Sequence, residues 1–211
     1  VNKLKEYGVF EAMAEGAGAP EGYSRIPLHW AFDVKHDFRH QARIVAGGHV
    51  APVPEESPSS SVVSLKGVRL LLFLSQLNKL DLTCVDIGNA YFEAETTEKV
   101  FAVAGAEFEE LEGRVLKITK ALYGLKSSGA RWHDVLADAL RDLGWKSCKM
   151  EPDFGYRENG DGYEFICIWV DDILIASKRN EAIHDDLKRL FKVKGGEFPS
   201  CYLGADLELM T

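Results

Sequence analysis

Apolar residues recur at helical spacing in several segments of the chain, and most of these segments are bounded by a capping residue or a glycine. The predicted helices are a short peripheral one over Leu4–Met13, one that follows Ser64 as N-cap and ends near Asn78, one over Ala130–Leu143, and one over Glu181–Val193. Gly144 is expected to end the third helix, while Asn180 and Gly195 are the expected N-cap and stop of the fourth.

Shorter apolar runs bounded by turn residues predict strands. They cover Ile26–Val34, Ala42–Gly47, Leu82–Ile87, Val100–Val103, Val115–Thr119, Tyr163–Trp169, Ile173–Ser177 and Tyr202–Leu209. A polar turn at His36 and Asp37 is expected to join the first two strands. Because helices do not alternate regularly with strands, the expected fold class is α+β rather than a doubly wound α/β fold.

The composition is that of a globular protein, with 46% of the 211 residues hydrophobic and 27% charged. No apolar run is long enough to span a membrane, so no membrane partner is expected. The four cysteines form no Cys-x-x-Cys pair, which argues against a thiolate zinc site and favours reduced thiols. Because the chain starts without a methionine or a signal peptide, we expect a piece of a longer polypeptide.

The net charge of −8, from 25 basic and 33 acidic residues, disfavours nucleic-acid binding, because phosphate backbones attract Lys and Arg. Basic residues are nevertheless concentrated in one stretch, which contains Arg114, Lys117, Lys120, Lys126 and Arg131. Divalent cations would also offset clustered carboxylates. We therefore expect the chain alone to bind nucleic acid weakly.

Two adjacent acids, Asp171 and Asp172, interrupt a pair of strongly apolar strands. Two like charges in an apolar setting are unfavourable unless a cation compensates them. Asp is also common in turns, and this segment alone does not choose between a cation site and a turn. A third acid, Asp86, ends a further predicted strand and would lie beside Asp171 if the two strand ends are neighbours, although a single acid there is more often a cap or turn residue.

Three carboxylates that converge at strand ends would offer hard oxygen ligands, which suit Mg²⁺ or Mn²⁺. Two such ions about 3.5–4 Å apart can activate an attacking hydroxyl group and stabilise a leaving pyrophosphate. This is the chemistry of nucleotidyl transfer, so convergence of the three acids would predict a two-metal site.

Five short blocks resemble, in the same order, the reverse transcriptases of copia-type LTR retrotransposons. The blocks are ARIVAGG (residues 42–48), VDIGNAYF (85–92), KALYGLK (120–126) with RW (131–132) after it, WVDD (169–172) and YLG (202–204). WVDD is similar to the family's aromatic-x-Asp-Asp box, and VDIGNAYF to its first catalytic box. One block alone carries little weight, but five blocks in order from residue 26 onward favour the resemblance strongly.

The resemblance implies the fingers and palm of a right-hand polymerase, with an antiparallel palm sheet backed by helices. The fingers would comprise residues 1–81 and 93–120, the palm residues 82–92 and 121–211, and the thumb would be absent from this chain. The implied function is that of an RNA-directed DNA polymerase in a retrotransposon polyprotein. It would transfer dNTPs onto a primer 3′-hydroxyl with two Mg²⁺ or Mn²⁺ ions.

The resemblance also implies roles for individual residues. The catalytic and metal-binding residues would be Asp86 and Asp171, which bridge the ions, with Asp172 and the Ile87 carbonyl in support. The nucleotide-binding residues would be Arg43, Tyr91, Gly124 and Gln41, and the primer or template contacts Trp169, Tyr202, Leu203 and Gly204. Arg43 would contact the triphosphate, Tyr91 would exclude a ribose 2′-hydroxyl, and Gly124 would let the backbone pass close to the nucleotide.

The implied partners are an RNA or DNA template–primer duplex, a dNTP and the rest of the polyprotein, including integrase and RNase H. The implied location is the cytoplasm, in a virus-like particle or with access to the nucleus. Two positions depart from the family pattern, since Gln41 stands where Lys is usual and Trp169 where Tyr is usual. They leave open a second interpretation, a weakened relic or domesticated module with a non-enzymatic binding or assembly role.

Overall fold

The structure is a computed structural model that describes residues 1–34, 38–54, 58–160 and 162–208. Over these residues the helices are α1 (Asn2–Glu6), α2 (Leu65–Leu77), α3 (Ser128–Asp142) and α4 (Asn180–Leu190). The strands are β1 (Phe10–Ala12), β2 (Ser24–Arg25), β3 (Leu28–Val34), β4 (His40–Ala46), β5 (Asp81–Ile87), β6 (Val100–Val103), β7 (Val115–Ile118), β8 (Lys146–Cys148), β9 (Glu151–Glu158), β10 (Tyr163–Trp169), β11 (Asp172–Ser177), β12 (Val193–Gly195), β13 (Cys201–Tyr202) and β14 (Ala205–Asp206). This mixture confirms the α+β class. None of the described helices is long and apolar enough to cross a membrane.

The chain divides into two compact units, and the first comprises residues 1–60 and 90–135. Its four-stranded sheet has the order β1-β7-β6-β2, in which the β2–β6 pair is parallel. β3 and β4 form a separate antiparallel hairpin. The buried core of this unit includes Val9 just before β1, Leu116 on β7 and Leu122 in the segment before α3.

The second unit comprises residues 61–89 and 136–211. Its antiparallel six-stranded sheet has the order β12-β5-β11-β10-β9-β8. α2 packs on β10 and β11, and α4 packs on β5, β11 and β12. Ile173 and Leu174 point to opposite faces of β11, because side chains alternate along a strand, and both are fully buried. The centre of the sheet is therefore covered on both faces.

The ends of the two best-predicted helices follow their local sequence. Ser64 caps α2 as predicted, because its hydroxyl oxygen accepts a hydrogen bond from the Gly67 N–H over 3.2 Å. Asn78 is the C-cap residue of the same helix. α3 begins two residues before the predicted start, and its Trp132 is fully buried, which confirms the expected core role of this side chain.

Two helix predictions are wrong in part. The predicted helix over Leu4–Met13 ends at Glu6, because Gly8 adopts a left-handed conformation with φ of +61° and the chain continues as β1. The predicted helix up to Val193 ends at Leu190, since Val193 pairs with Ile87 at the edge of the sheet.

Asn180 is not the N-cap of α4. It lies inside the helix, and its side-chain N–H group donates to the carbonyls of Asp81 and Ser177 at 2.9 and 3.1 Å. The residue at the N-cap position is Arg179, whose side chain makes no capping hydrogen bond. Asn180 therefore ties the start of α4 to the strands β5 and β11.

The predicted strand over Tyr202–Leu209 is also wrong. The segment turns back at Leu203 and Gly204, both with positive φ, so β13 and β14 form a short hairpin. Leu209 and the predicted turn at His36 and Asp37 lie outside the described residues. The short strands β1, β2, β8 and β12 and the longer β9 were not predicted. The division of the chain into fingers and palm stays a prediction.

Candidate functional site

Carboxylates meet at one end of the six-stranded sheet. Asp86, next to the last residue of β5, lies directly opposite Asp172, the first residue of β11. Side chains of directly opposed residues share a face of the sheet, with Cβ atoms about 4.5–5.5 Å apart. Asp171 lies next to this pair, because its carbonyl accepts a hydrogen bond from the Ile87 N–H over 2.8 Å. All three acids are half-buried, so they remain within reach of solvent.

The turn that carries Asp171 is strained. Trp169 pairs with Asp172, and the two residues between them, Val170 and Asp171, close the β10–β11 hairpin. Val170 has a φ of +56°, which is unfavourable for a β-branched side chain. Such a conformation persists only where the surroundings enforce it, and β9 and β5 flank the hairpin on both sides. Trp169 is 37% exposed at this end of the sheet.

The face of the sheet that carries Asp86 and Asp172 is rich in negative potential. Burial, reinforced by the charges of Asp172 and Asp86, raises the pKa of the Cys84 thiol to about 12. Burial also raises the pKa of Tyr202, as do the nearby groups of Cys167, Cys84 and Asp172. The Tyr202 hydroxyl is buried and has no hydrogen-bond partner among the described residues. A cation would relieve the accumulated negative charge at this place.

A lysine lies on the other side of Asp86. Lys194 of β12 pairs directly with Asp86, so Asp172, Asp86 and Lys194 form a row across three neighbouring strands. Lys194 is exposed. Opposite charges on directly paired residues of a sheet attract each other, and Lys194 therefore adds a positive charge beside the carboxylates.

In the first unit, predicted nucleotide-binding residues gather around Tyr123. The Arg43 guanidinium lies 5.2 Å from the centre of the Tyr123 ring, and the ring of Tyr91 lies 4.9 Å from the same ring. Gln41 lies two residues before Arg43 on β4, and therefore on the same face of the hairpin. Its side-chain oxygen is buried and has no partner among the described residues. In this unit, Arg43 and Tyr91 therefore contact Tyr123, and Gln41 lies on the same face of the hairpin as Arg43.

Gly124 is required by a contact within the protein. It has a φ of +92°, and a Cβ atom there would lie 2.1 Å from the Ala46 carbonyl oxygen. Gly48 is equally close to Gly124, since a Cβ atom on Gly48 would lie 2.1 Å from the Gly124 carbonyl oxygen. The two glycines let the segment before α3 lie against the end of β4. The predicted contact of Gly124 with a nucleotide stays a prediction.

The residues Tyr202, Leu203 and Gly204 lie at the β13–β14 hairpin of the second unit. Tyr202 is buried in the core that α2 shares with β10 and β11, whereas Leu203 is exposed at the tip of the turn. The hairpin is therefore anchored through its tyrosine, and the leucine remains available for contacts.

Comparison with known proteins decides the family. A family model described as reverse transcriptase (RNA-dependent DNA polymerase) matches residues 15–210 of the chain. The chain belongs to the reverse transcriptase family. It is 30% identical over 171 residues to the Transposon Ty1-MR1 Gag-Pol polyprotein of Saccharomyces cerevisiae, a match that covers 77% of this chain and 9% of that protein.

The same reverse transcriptase chain is 25% identical over 199 residues to the Retrovirus-related Pol polyprotein from transposon RE1 of Arabidopsis thaliana, covering 89% of this chain and 14% of that protein. These relatives confirm the resemblance to copia-type retrotransposon reverse transcriptases. The chain spans between 9% and 14% of the length of the two relatives.

The acids of this reverse transcriptase suit a divalent cation in donor type and in place. Asp86, Asp171 and Asp172 offer hard oxygen ligands at adjoining strand ends. Within the described part of the chain, however, no three His, Cys, Asp or Glu side chains already surround a common point. A cation at this place would therefore have to draw the carboxylates together by side-chain rotation.

Two residues of this reverse transcriptase lie beside predicted site residues but were not predicted from the sequence. Tyr123 stands in the block KALYGLK but received no role, although its ring contacts both Arg43 and Tyr91. Lys194 received no role, because the helix was predicted to extend to Val193 and to stop at Gly195, whereas α4 ends at Leu190 and Gly195 lies on β12. The Gly195–Gly196 pair that follows Lys194 was the available signal for a break and a new strand.

Proposed function

We propose that this chain is the fingers and palm part of an RNA-directed DNA polymerase from a retrotransposon polyprotein, and that it adds dNTPs to a primer 3′-hydroxyl. The observation that carries the proposal is the direct opposition of Asp86 and Asp172 beside the Asp171 turn. Three hard carboxylates at one sheet end favour Mg²⁺ or Mn²⁺ over softer metals.

In this proposal Asp86 and Asp171 hold two ions, with Asp172 and the Ile87 carbonyl in support. When bound, the ions activate the primer hydroxyl and stabilise the departing pyrophosphate. The pairing of β5 with β11 keeps Asp86 and Asp172 on one face of the sheet. Lys194, which pairs with Asp86 in the strand register, would add a positive charge that can stabilise negative charge on a leaving group.

The first unit supplies the nucleotide contacts in this proposal. Arg43, oriented by its contact with Tyr123, binds the triphosphate as a planar donor, and the Gln41 amide lies on the same face. Tyr91 excludes the 2′-hydroxyl of a ribonucleotide. Trp169 and Leu203, both partly exposed, contact the primer or template. The remaining partners are the template–primer duplex and the rest of the polyprotein, in the cytoplasm or a virus-like particle.

Primer extension on an RNA template with Mg²⁺ and dNTPs tests this proposal in the full-length protein. Asp171→Asn is expected to reduce extension at least about a thousandfold, because one of the carboxylates that would hold the ions is lost. Asp185→Asn, which removes an exposed acid that forms an ion pair with Lys188 on α4, is the matched control and should leave extension unchanged. Equal extension by the two variants would contradict the proposed role of Asp171.

A non-enzymatic relic is the second candidate, and Gln41 is the observation that favours it. The usual lysine of the family is replaced there by an amide whose buried oxygen has no hydrogen-bond partner among the residues that the structure describes. A relic would fold with the same melting temperature as an active enzyme, but the wild-type protein would extend no primer. Gln41→Lys restores the usual charge, and recovery of extension in that variant would identify Gln41 as the cause.

A further inference from the structure

The strand that carries Lys194 ends in an irregular segment. β12 pairs regularly with β5 as far as Gly195, which lies opposite Val85. Beyond it, Gly196 donates to the Cys84 carbonyl over 2.8 Å, while the Glu197 carbonyl accepts from the Cys84 N–H over 3.1 Å. Two residues therefore oppose one, as in a β-bulge. The bulge begins two residues after Lys194, which lies opposite Asp86.

Both residues after Lys194 must be glycines. Gly195 has a φ of +77°, and a Cβ atom there would lie 2.8 Å from the Cys84 carbonyl oxygen. Gly196 has a φ of +116°, and a Cβ atom there would lie 3.0 Å from Nδ1 of His184. The segment is thus confined between the backbone of β5 and the ring of His184.

His184 connects this segment to β5. The residue lies on α4 and is only 6% exposed. Its Nε2 atom is 3.0 Å from the Thr83 hydroxyl oxygen, while Nδ1 and Cε1 face Gly196. Thr83 stands three residues before Asp86, and Gly196 stands two residues after Lys194. The buried ring therefore lies beside Thr83 on β5 and beside the glycine that follows β12, and these two strands carry Asp86 and Lys194.

We propose that His184 is a positioning residue that holds Lys194 opposite Asp86 through its contacts with Gly196 and Thr83. Without the ring, the double-glycine segment has free space towards α4, and Lys194 moves away from its partner. The structural part of this proposal concerns the position of Lys194 alone. Its consequence for nucleotide addition rests on the proposed polymerase function.

A double-mutant cycle separates positioning from general destabilisation. His184→Leu is expected to lower kcat of primer extension about tenfold with little change in the KM for dNTP, because small misplacements of charged groups cost rate. His184→Gln keeps a group that can bond Thr83 and should recover most of the rate. In a Lys194→Ala background, His184→Leu should have no further effect. Equal, additive losses in both backgrounds would overturn the proposal.

The structural control comes from the same helix. Ile183 is buried next to His184 on α4, but the atoms nearest to a Cβ on Gly196 all belong to His184. Ile183→Ala is expected to lower the melting temperature, while its effect on kcat should be the same with and without Lys194. If Ile183→Ala behaved like His184→Leu in the cycle, the special role of the ring would be lost.

A measurement independent of activity decides the structural part even if the wild-type protein extends no primer. After reductive ¹³C-methylation of lysines, the NMR signal of Lys194 is identified by its loss in Lys194→Arg. His184→Leu should shift this signal and leave that of Lys66 on α2 in place. An inactive wild type with a shifted Lys194 signal would refute the proposed function and keep the positioning role. An unchanged Lys194 signal in folded His184→Leu would overturn the inference itself.

Discussion

Two β-hairpins of this reverse transcriptase carry predicted functional residues, and the chain supports them differently. The β10–β11 hairpin carries Asp171 and Asp172 at its turn. It has a neighbouring strand on each side, and its Ile173 is fully buried. The β3–β4 hairpin, which carries Arg43, is a two-stranded sheet whose Phe32 is 78% exposed. Isolated two-stranded hairpins are only marginally stable in water.

The hairpins also differ in what fixes their open ends. The buried Glu164 carboxylate at the base of β10 accepts hydrogen bonds from Ser177 and Arg157 at 2.7 and 2.9 Å. At the end of β4, the Ala46 N–H donates to the Tyr123 carbonyl, the Gly47 N–H donates to the Pro27 carbonyl, and Gly124 lies close to Ala46. Precise placement of reacting groups needs a rigid support, whereas a binding element tolerates adjustment. The difference is therefore consistent with chemistry on one hairpin and ligand contact on the other.

The largest expected contrast is in truncation of an apolar side chain on each hairpin. Ile173→Ala should reduce the free energy of unfolding of its unit by about 2–5 kcal/mol, because it leaves a cavity in a fully covered strand. Phe32→Ala should change stability by less than about 0.5 kcal/mol, since the ring is mostly in solvent. Denaturant unfolding measures both. Similar losses in the free energy of unfolding for the two substitutions would contradict the proposed difference between the hairpins.

Glu164→Gln tests the base of the β10–β11 hairpin. Burial opposes ionisation of Glu164, but hydrogen bonds from Asn159, Ser177, Arg157 and Arg179 outweigh it and lower the pKa from 4.5 to about 2. A lowered pKa stabilises the folded state fully above pH 4.5, and this contribution is lost as the pH falls towards 2. The variant should therefore be about 3 kcal/mol less stable at pH 7, with a smaller difference at acid pH. A pH-independent difference would show that the charge of Glu164 is not the stabilising feature.

Gly124→Ala tests the support of the exposed hairpin and should have a smaller effect. The added Cβ atom would meet the Ala46 carbonyl, and alanine disfavours the φ of +92° at this position. A loss of about 1–3 kcal/mol in the first unit is expected. Hydrogen exchange should show faster exchange in β4 but not in β11. Gly113 has a similar φ of +77° and open space around it, so Gly113→Ala measures the cost of a positive φ without a steric clash.

The amino-acid sequence predicted the helices α2 and α3 and the β10–β11 hairpin well, but not the eight-residue strand β9. The cap at Ser64, the α3 helix and the hairpin around Asp171 have strong local signals, so their prediction needed no tertiary information. Very short strands such as β2 and β13 lack such signals, because two residues show no periodicity. β12 was missed for another reason: it begins at Val193, three residues after α4 ends at Leu190, and this valine continued the helical pattern of apolar residues.

The sequence also could not predict which acids lie opposite each other in the sheet. Proximity of Asp86 to the Asp171–Asp172 pair could be expected from the motifs, but the register that sets Asp172 opposite Asp86 depends on strand order. The row that includes Lys194 likewise depends on which strand pairs with the outer side of β5. Long-range pairing of this kind is set by tertiary packing rather than by local preference.

Binding of Mn²⁺ tests the central claim most directly, because the proposed chemistry requires the acids to hold cations. Mn²⁺ should raise the melting temperature of the wild-type protein in a concentration-dependent manner, since a ligand that binds the folded state stabilises it. Asp86→Asn and Asp171→Asn should abolish this rise, whereas Asp185→Asn should retain it. An equal response of all four proteins, or no response in the wild type, would contradict a metal site at the ends of β5 and the β10–β11 hairpin.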